Sequence, residues 1–469
     1  MSTNSEQSDQ STKSNSVKSS NSGVQNGSFR KKKVLPVKQF QVKESLLTIL
    51  FDNPHIKVVK HIFIASLIGL FVNTCVHDYV KKGEVKVGLG VISQGFGKFG
   101  MVIAIWIVLN IFSILCYFCF HLWADIRIRI FPKSRNLKIW DNIWFSAVPI
   151  YYLLHFRAVS FIVRHLNMPI ASSAIICLEQ TRLLMKTHAF IRSNAEKVIN
   201  FKPQSENSFK LASLSHYIYF LFAPTAVYKD AYPKSKTIRW DFIFSWTLEV
   251  VGVIFYYAFL LERFVIPSHK DIGLRHYSTS ELFLIMCDHG TIGLLFMLVA
   301  FYVVLHVVQN LVGELLMFGD REFYKDWWTS TNYSVYFRTW NIVVSDWLYT
   351  YIYKDCYEIL MPGNKTFAKV LVFFISAVVH EWVLTYMFGF FFPALFLVFL
   401  FTGSCLTFLR TPNHSFVNIM FWYIMALGSG WLVSLYSMEF YVRQNVPTAE
   451  NSTLKDFIVP RLFTCNCII

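Results

Sequence analysis

The stretch VLVFFISAVVHEWVLTYMFGFFFPALFLVFLFTGSCLTFL, residues 370–409, decides the fold of this chain. Its 40 residues include only two Asp, Glu, Lys, Arg or His side chains, the adjacent His380 and Glu381. A transmembrane helix needs about 20 apolar residues, so the stretch is long enough to cross a bilayer twice, with a turn near Gly389 to Pro393. His380 falls roughly halfway through a ~30 Å hydrocarbon core, where an ionisable side chain is costly and is therefore a candidate functional group.

The composition of the whole chain agrees with a membrane protein. Hydrophobic residues make up 54% of the 469 residues and charged residues 16%, against about 25% charged residues in a soluble domain. The net charge of +15 sits in short clusters of Lys and Arg beside apolar segments. That arrangement is typical of the positive-inside rule and of contact with anionic membrane lipid. It argues against a nucleic-acid partner.

The cysteines do not indicate a metal site. The chain has nine, and none stands at metal-ligand spacing with a histidine, so we interpret most of them as small buried hydrophobic residues. Cys465 and Cys467 are the exception, because they could form disulfides if the C-terminus is luminal. We predict no metal ion and no cofactor.

The apolar segments predict an all-α polytopic membrane protein with about nine transmembrane helices. No internal repeat is evident, which counts against transporters built from inverted repeats. Arg157, Arg164 and Glu179 interrupt the third and fourth segments. The predicted spans are approximately 59–79, 99–121, 144–164, 168–187, 240–264, 282–313, 366–388, 390–410 and 416–438.

The distribution of Lys and Arg predicts the orientation and the domain boundaries. We expect a disordered cytosolic tail at 1–37, a transmembrane domain at 59–441 with a cytosolic motif segment at 314–365, and a luminal C-terminal tail at 442–469. Residues 38–58 have the spacing of an amphipathic helix, which could lie on the membrane surface or contact another subunit; both alternatives stay open. Of the four glycosylation sequons that follow residue 40, only Asn451 should then be luminal, whereas Asn332, Asn364 and Asn413 should not.

The motif segment combines aromatic residues with an ordered set of polar ones. An aromatic belt at the membrane interface explains its Trp and Tyr residues but not the polar pattern. If residues 336–353 form one helix, five side chains share a stripe about 120° wide that should face a polar cavity. An alternative is that the amide of Asn341 only locks two helices together. The five are Arg338, Asn341, Ser345, Tyr349 and Tyr353.

The neighbours of His380 predict different roles for the two halves of the His-Glu pair. Ser376 lies one helical turn before His380 and shares its face. Glu381 is rotated by about 100° from His380, so we expect it to make a structural pair with another helix. A buried histidine can also be a simple packing residue, and this alternative stays open for His380.

These residues also carry a family resemblance. Phe323 to Trp328, FYKDWW, resembles the FYxDWWN signature of the membrane-bound O-acyltransferases that make neutral lipids. The following RTWNIVVSDWLYTYIYKD and the His380-Glu381 pair resemble the sterol O-acyltransferase branch of that family. So do three other stretches: 184–192, 220–232 and 436–445. Diacylglycerol acyltransferases share FYxDWWN but are less similar in RTWN and in the tail.

The resemblance implies a fold, an activity and a site. The expected fold encloses an intramembrane reaction chamber, and the expected activity is acyl transfer from acyl-CoA to a hydroxyl, in the endoplasmic reticulum membrane, by homodimers or homotetramers. His380 would be catalytic with Asn341 as its partner. Acyl-CoA, a substrate rather than a cofactor, would be bound by Phe323, Tyr324, Asp326, Trp327, Trp328, Thr331, Arg338, Ser345, Tyr349, Tyr353, Lys365 and Ser376.

Two positions depart from the family pattern. Thr329 stands in place of the final Asn of the signature, and Ser345 in place of a His in an HDW motif. Neither affects the expected catalytic pair, so both concern substrate affinity.

The sequence therefore predicts a sterol O-acyltransferase in which His380 is the general base. The alternatives are a diacylglycerol or wax-alcohol O-acyltransferase and, more remotely, a transporter with a midplane histidine as a proton relay.

Overall fold

The computed structural model describes residues 35–201, 211–409, 411–412, 414–446 and 454–465. Most of the predicted tail at 1–37 lies outside these ranges, as do Asn413, Asn451 and Cys467. Within them the secondary structure is helical, and the only β-type pairings are isolated bridges. This confirms the predicted all-α class.

Sixteen helices make up most of the described residues. In chain order they are α1 Leu46–Asp52, α2 Pro54–Lys82, α3 Leu89–Gly95, α4 Phe99–Arg129, α5 Arg135–His165, α6 Ile170–Asn200, α7 Leu214–Phe222, α8 Trp240–His269, α9 Thr279–Asp288, α10 Gly290–Leu315, α11 Tyr333–Thr339, α12 342–360, α13 Lys365–Phe388, α14 Ala394–Phe408, α15 Ser415–Asn445 and α16 Leu454–Ile458.

Seven of the described helices are long and apolar enough to cross a membrane: α2, α4, α5, α8, α10, α13 and α15. The predicted count of nine is therefore not confirmed. The fourth predicted span, α6, is 31 residues long but too polar, and the eighth, α14, is shorter than the other spans. The sixth predicted span is divided into α9 and α10, because the backbone leaves the helical conformation at His289.

Two positively charged side chains of α6 bind backbone carbonyls at the end of the neighbouring helix α7. A helix end leaves carbonyl groups without partners, and cations near that end are favourable. The Lys186 ammonium, 2% exposed, donates to the carbonyls of Phe220 at 2.5 Å and Ala223 at 2.6 Å, and Arg182 donates to the carbonyl of Leu221. These two cations cap a buried helix end.

Residues 38–58, the predicted amphipathic segment, do not form one continuous helix. Residues 38–45 lie outside the helices, α1 begins at Leu46, and a break at Asn53 separates α1 from α2. The Asn53 side chain accepts the N–H of His55 at 3.0 Å, and Pro54 occupies the first position of α2. An Asn N-cap followed by Pro is a strong helix start, and it overrides the continuous helical spacing.

Close helix crossings hold the bundle together. Helix α13, which carries His380, packs against α6, α12 and α14, and α10 packs along α15. At the second crossing Gly293 faces Gly430, and a Cβ on either residue would overlap the backbone of the other helix. Small residues at such positions are typical of helix packing inside membranes.

Candidate active site

The backbone of α13 determines the orientation of the His380 imidazole. Its Nδ1 lies 2.7 Å from the carbonyl oxygen of Ser376, one turn earlier in the same helix. A carbonyl can only accept a hydrogen bond, so Nδ1 carries the proton and Nε2 of the neutral ring keeps a lone pair. Nε2 makes no hydrogen bond to any described residue, and the side chain is exposed. The ring can therefore accept a proton from a bound molecule.

Two neighbours frame this imidazole. The ring of Phe399, on α14, stacks on it with a centroid distance of 5.2 Å and an interplanar angle of 23°. The Ser376 hydroxyl lies 3.5 Å from Nδ1, at the limit of a hydrogen bond, so the predicted shared face is confirmed. Neither contact involves Nε2.

Glu381 is structural, as predicted. Its carboxylate is 3% exposed and accepts hydrogen bonds from the Tyr436 hydroxyl at 2.9 and 3.0 Å and from the backbone N–H of Phe396 at 3.0 Å. These bonds join α13 to α14 and α15. The residue next to His380 therefore fixes the surrounding helices and does not face the imidazole.

The predicted single helix over 336–353 is wrong, because the chain breaks beside Asn341. Helix α11 ends at Thr339, and Asn341 is the N-cap of α12, with its Oδ1 accepting the N–H of Val344 at 3.1 Å. An Asn side chain competes for backbone donors in this way and favours helix starts. The amide oxygen is thus occupied, whereas the Nδ2 group makes no hydrogen bond to described residues and can donate. No hydrogen bond joins Asn341 to His380.

The aromatic part of the predicted stripe does form, on α12. Tyr349 and Tyr353 stack at 5.6 Å, and Tyr353 and Tyr357 at 6.1 Å, with interplanar angles of 15° and 3°. Ser345 lies one turn before Tyr349. We call Tyr349, Tyr353 and Tyr357 the tyrosine ladder.

The opposite face of α12 is docked on α6. The indole N–H of Trp347 donates to the carbonyl of Met185 at 2.8 Å, and the Tyr351 hydroxyl lies 2.9 Å from that of Ser193. Asp355 forms a bidentate ion pair with Arg192, at 2.8 and 2.9 Å. Because residues two apart point to nearly opposite sides of a helix, this docking directs the tyrosine ladder away from α6.

The FYKDWW segment is mainly a packing element. Phe323, Tyr324 and Trp327 are 1%, 1% and 3% exposed. Trp327 contacts Phe301 and Trp340 at centroid distances of 4.6 Å. Burying aromatic side chains contributes strongly to packing energy, so these three residues shape the site from within the protein.

The polar members of the segment lie nearer its surface. Asp326 and Thr329 are exposed, and the Thr329 hydroxyl donates to the Asp326 carbonyl at 2.7 Å. The hydroxyl that replaces the signature amide thus stabilises a local turn. The carbonyls of Trp328 and Thr331 accept side-chain hydrogen bonds from α15 and from the chain before it, donated by Trp422 and Asn418 to Trp328 and by Thr411 to Thr331.

Two cationic side chains that were predicted to bind acyl-CoA lie on the surface. Arg338, on α11, is exposed and makes one hydrogen bond, from Nε to the carbonyl of Ser334 at 3.3 Å. Lys365, the first residue of α13, is exposed and has no ion pair with a described residue. Both cationic groups can bind an anionic ligand.

The sequence did not reveal a buried hydrogen-bonded cluster behind the FYKDWW segment. The Tyr324 hydroxyl accepts the N–H of Leu47 at 3.3 Å and lies 2.7 Å from Nδ1 of His306, to which it donates. Burial raises the pKa of this phenol, so it acts as a neutral donor. Asn310 completes the cluster by donating to Ser45 at 3.0 Å. No motif spacing connects Ser45 and Leu47 to the rest of the cluster, which lies more than 250 residues later in the sequence.

Comparison with known proteins identifies the class of this fold and site. The family model described as MBOAT, membrane-bound O-acyltransferase family, matches residues 103–438. The chain belongs to this family and is an acyltransferase that crosses the membrane several times.

Curated relatives extend over most of the chain. Sterol O-acyltransferase 1 of Mus musculus is 37% identical over 435 residues, which cover 92% of this chain and 80% of that protein. Sterol O-acyltransferase 2 of Homo sapiens is 30% identical over 433 residues, with coverage of 92% and 80%.

Proposed function

We propose that this protein transfers a long-chain fatty acyl group from acyl-CoA to the hydroxyl of a sterol and so forms a sterol ester for storage. The observation that carries the proposal is the His380 imidazole, whose Nδ1 is bonded to the Ser376 carbonyl while Nε2 has no partner among described residues. The names of the relatives, both sterol O-acyltransferases, indicate the acceptor. No cofactor is required, because acyl-CoA is itself the activated donor.

In this reaction His380 acts as a general base. Its Nε2 takes the proton of the sterol hydroxyl while the hydroxyl oxygen attacks the thioester carbonyl carbon. The C–S bond then breaks, and the proton passes to the leaving CoA thiolate, so that a sterol ester and free CoA are formed. General base catalysis of this kind contributes about 10²–10⁴-fold.

The side chain of Asn341 has one polar group that the helix cap does not use, its NH₂ group. Because its Oδ1 caps α12, only the Nδ2 group is free to donate. It would stabilise the oxyanion that forms on the thioester carbonyl or orient the base. A donor to an oxyanion contributes about 10²–10³-fold.

The substrates explain why the base lies within a membrane helix. A sterol is apolar except for its hydroxyl and arrives from the bilayer, whereas CoA carries a polar anionic head that remains in the cytosol. Arg338 and Lys365 would hold the CoA phosphates, and the tyrosine ladder would pack its adenine or pantetheine. Two further predicted contacts, Ser345 and Ser376, lie on the same two helices as the ladder and the base.

The acceptor is tested by competition. Microsomes containing the protein are given labelled oleoyl-CoA with equal amounts of a sterol, a diacylglycerol and a long-chain alcohol, and the products are separated by thin-layer chromatography. We expect label mainly in the sterol ester, with background label in microsomes carrying His380→Ala. Label mainly in triacylglycerol or wax ester would contradict the proposed acceptor.

A transporter is less well supported. It would need charges within the membrane spans, and the sequence offers Arg157, Arg164 and Glu179 in α5 and α6. Glu179 pairs with Arg182 at 2.6 Å and accepts the indole N–H of Trp106 at 2.9 Å, so this charge has a structural role without a transport path.

Replacing Lys365 by alanine should raise the KM for acyl-CoA. One charge-assisted hydrogen bond to a phosphate contributes about 1.5 kcal/mol, which corresponds to about a tenfold change. We expect kcat to change by less than about twofold, because the contact lies away from the reacting atoms. Steady-state kinetics with varied oleoyl-CoA measures both constants.

The matched control is Lys86→Ala, which removes another exposed lysine, in the loop after α2. An unchanged KM in Lys365→Ala, equal to that of Lys86→Ala, would exclude Lys365 from the acyl-CoA site.

We propose the endoplasmic reticulum as the location, with the N-terminus cytosolic and the C-terminus luminal. The distribution of Lys and Arg supports this orientation. Cys465, after α16, is disulfide-bonded, and disulfides persist in oxidising compartments such as this lumen. The family resemblance of the sequence motifs also suggests a homodimer or homotetramer, and light scattering of the detergent-solubilised protein would measure the number of subunits.

Glycosylation tests the orientation. We expect an endoglycosidase-sensitive mobility shift that Asn451→Gln removes and Asn364→Gln leaves intact. Asn364 caps α13, with its Oδ1 accepting the N–H of Phe367 at 3.0 Å. It lies on the cytosolic side in the proposed topology, in which α6 and α14 cross the membrane in addition to the seven long apolar helices. A glycan on Asn364 would reverse the orientation.

A further inference from the structure

The chain before the first transmembrane helix docks on the segment that precedes the FYKDWW motif. The N–H of Lys43 donates to the carbonyl of Gly319 at 2.8 Å, and the N–H of Arg321 donates to the carbonyl of Lys43 at 2.9 Å. At the start of this contact Lys38 pairs with Asp346 of α12 at 2.8 Å. We call residues 38–47 the docking segment.

Glu44 completes a neutral ionic cluster under this contact. The carboxylate of Glu314 is fully buried and binds both Arg239, at 2.8 Å, and Arg321, which is 2% exposed. Two arginines and one glutamate leave one positive charge in excess. Glu44 balances it by contacting Arg239 at 3.0 Å and Arg321 at 3.6 Å. Without Glu44, a buried guanidinium two residues before Phe323 would lose part of its compensation.

Ser45 connects the docking segment to the motif itself. Its side chain is fully buried and accepts a hydrogen bond from Asn310 at 3.0 Å. Asn310 lies 3.1 Å from Nδ1 of His306, which also accepts from the Tyr324 hydroxyl. The backbone N–H of Leu47 donates to the same hydroxyl. The docking segment is therefore linked to Tyr324 in two ways. Ser45 reaches it through the side chains of Asn310 and His306, and Leu47 bonds to it directly through its backbone N–H.

We propose that the docking segment positions the FYKDWW segment for acyl-CoA binding, with Glu44 and Ser45 as positioning residues. This inference rests on the proposed function, since it assigns that segment to the acyl-CoA side of the site. Neither residue touches the reacting atoms. Their effect passes through Arg321 and Tyr324 to the backbone of residues 321–328, so it should alter the affinity for acyl-CoA and leave the affinity for the sterol unchanged.

The test compares Glu44→Gln and Ser45→Ala with Lys43→Ala. The first two should raise the KM for oleoyl-CoA by about fivefold to tenfold, with the sterol KM unchanged. Ser45→Ala removes a fully buried hydrogen-bonding group, and Glu44→Gln removes a counter-charge of the buried Arg321 guanidinium, although Glu44 itself is 40% exposed. Lys43→Ala removes only an exposed ion pair with Glu322 and keeps the backbone bonds, so its KM should stay within about twofold of the wild type. Glu44→Asp keeps the charge and should recover most of the affinity.

Folding and the choice of acceptor are controlled separately. Gel filtration and thermal unfolding in detergent give the folded fraction of each variant. A loss of folded protein with an unchanged KM for oleoyl-CoA would mean that the segment only stabilises the fold, and would overturn the proposal. Calorimetry measures the binding of a non-hydrolysable oleoyl-CoA ether without any sterol acceptor. If the wild type fails to esterify sterols, the proposed function fails, while this binding still decides the role of the docking segment.

Discussion

Replacing His380 by alanine is expected to lower kcat for sterol esterification by about 10²–10⁴-fold, the contribution of a positioned general base. The structure gives a specific reason. Because Nδ1 donates its proton to a hydrogen bond with the Ser376 carbonyl, Nε2 is the only ring nitrogen with a lone pair that can accept a proton. The measurement is the initial rate with labelled oleoyl-CoA, divided by the amount of folded protein.

His165→Ala is the matched control. His165 is the last residue of α5, is exposed, and stacks on Phe161 at 5.3 Å, so its loss should leave the rate within about twofold. A folded His380→Ala enzyme with near-normal activity would rule out the base and leave His380 as a packing residue.

Asn341→Ser should lower kcat by about 10²–10³-fold with little loss of stability. Serine is as good an N-cap as asparagine, so it can still accept the N–H of Val344 and start α12. It lacks the NH₂ group, however, and so loses the donor that we assign to the oxyanion or to the base. Rates and thermal unfolding temperatures are compared with those of the wild type.

Asn341→Ala separates the two roles of this residue. It removes both the cap and the donor, so it should be as slow as Asn341→Ser and also less stable, by about 1 kcal/mol. If Asn341→Ser keeps full activity while Asn341→Ala loses it, the amide acts only through the helix start and takes no part in the reaction.

The region around His380 was largely predictable from local sequence. A single His-Glu pair in a long apolar run indicates depth in the membrane, and helical spacing alone separates the two faces. Ser376 therefore lies beside the imidazole and Glu381 points elsewhere, as expected. The partners of Glu381, however, are Tyr436 and the N–H of Phe396, and no spacing rule could identify them.

Helix boundaries were the main source of error. The stripe through residues 336–353 obeys helical spacing, yet Asn341 uses its side chain to start a new helix, and this local hydrogen bond outweighs the periodic pattern. A similar local signal at Asn53 and Pro54 starts α2 inside the predicted amphipathic segment at 38–58. Charges posed a related problem, since Glu179 interrupts the fourth predicted span, and no spacing rule could identify Trp106 as one of its partners.

Composition, apolar run lengths and the FYKDWW and His-Glu motifs were enough to assign this chain to a class of multi-span membrane enzyme, because burial in lipid restricts both the residue types and the backbone to helices. The tautomer of His380 and the single free group of Asn341 come from local hydrogen bonds that helical spacing alone does not specify. Tertiary structure alone decided which side of α12 faces α6, and so the direction of the tyrosine ladder, and the docking of Glu44 and Ser45. These last features depend on groups that meet across long separations in the chain, and hydrogen bonds and ion pairs between such groups leave no periodic trace in the sequence.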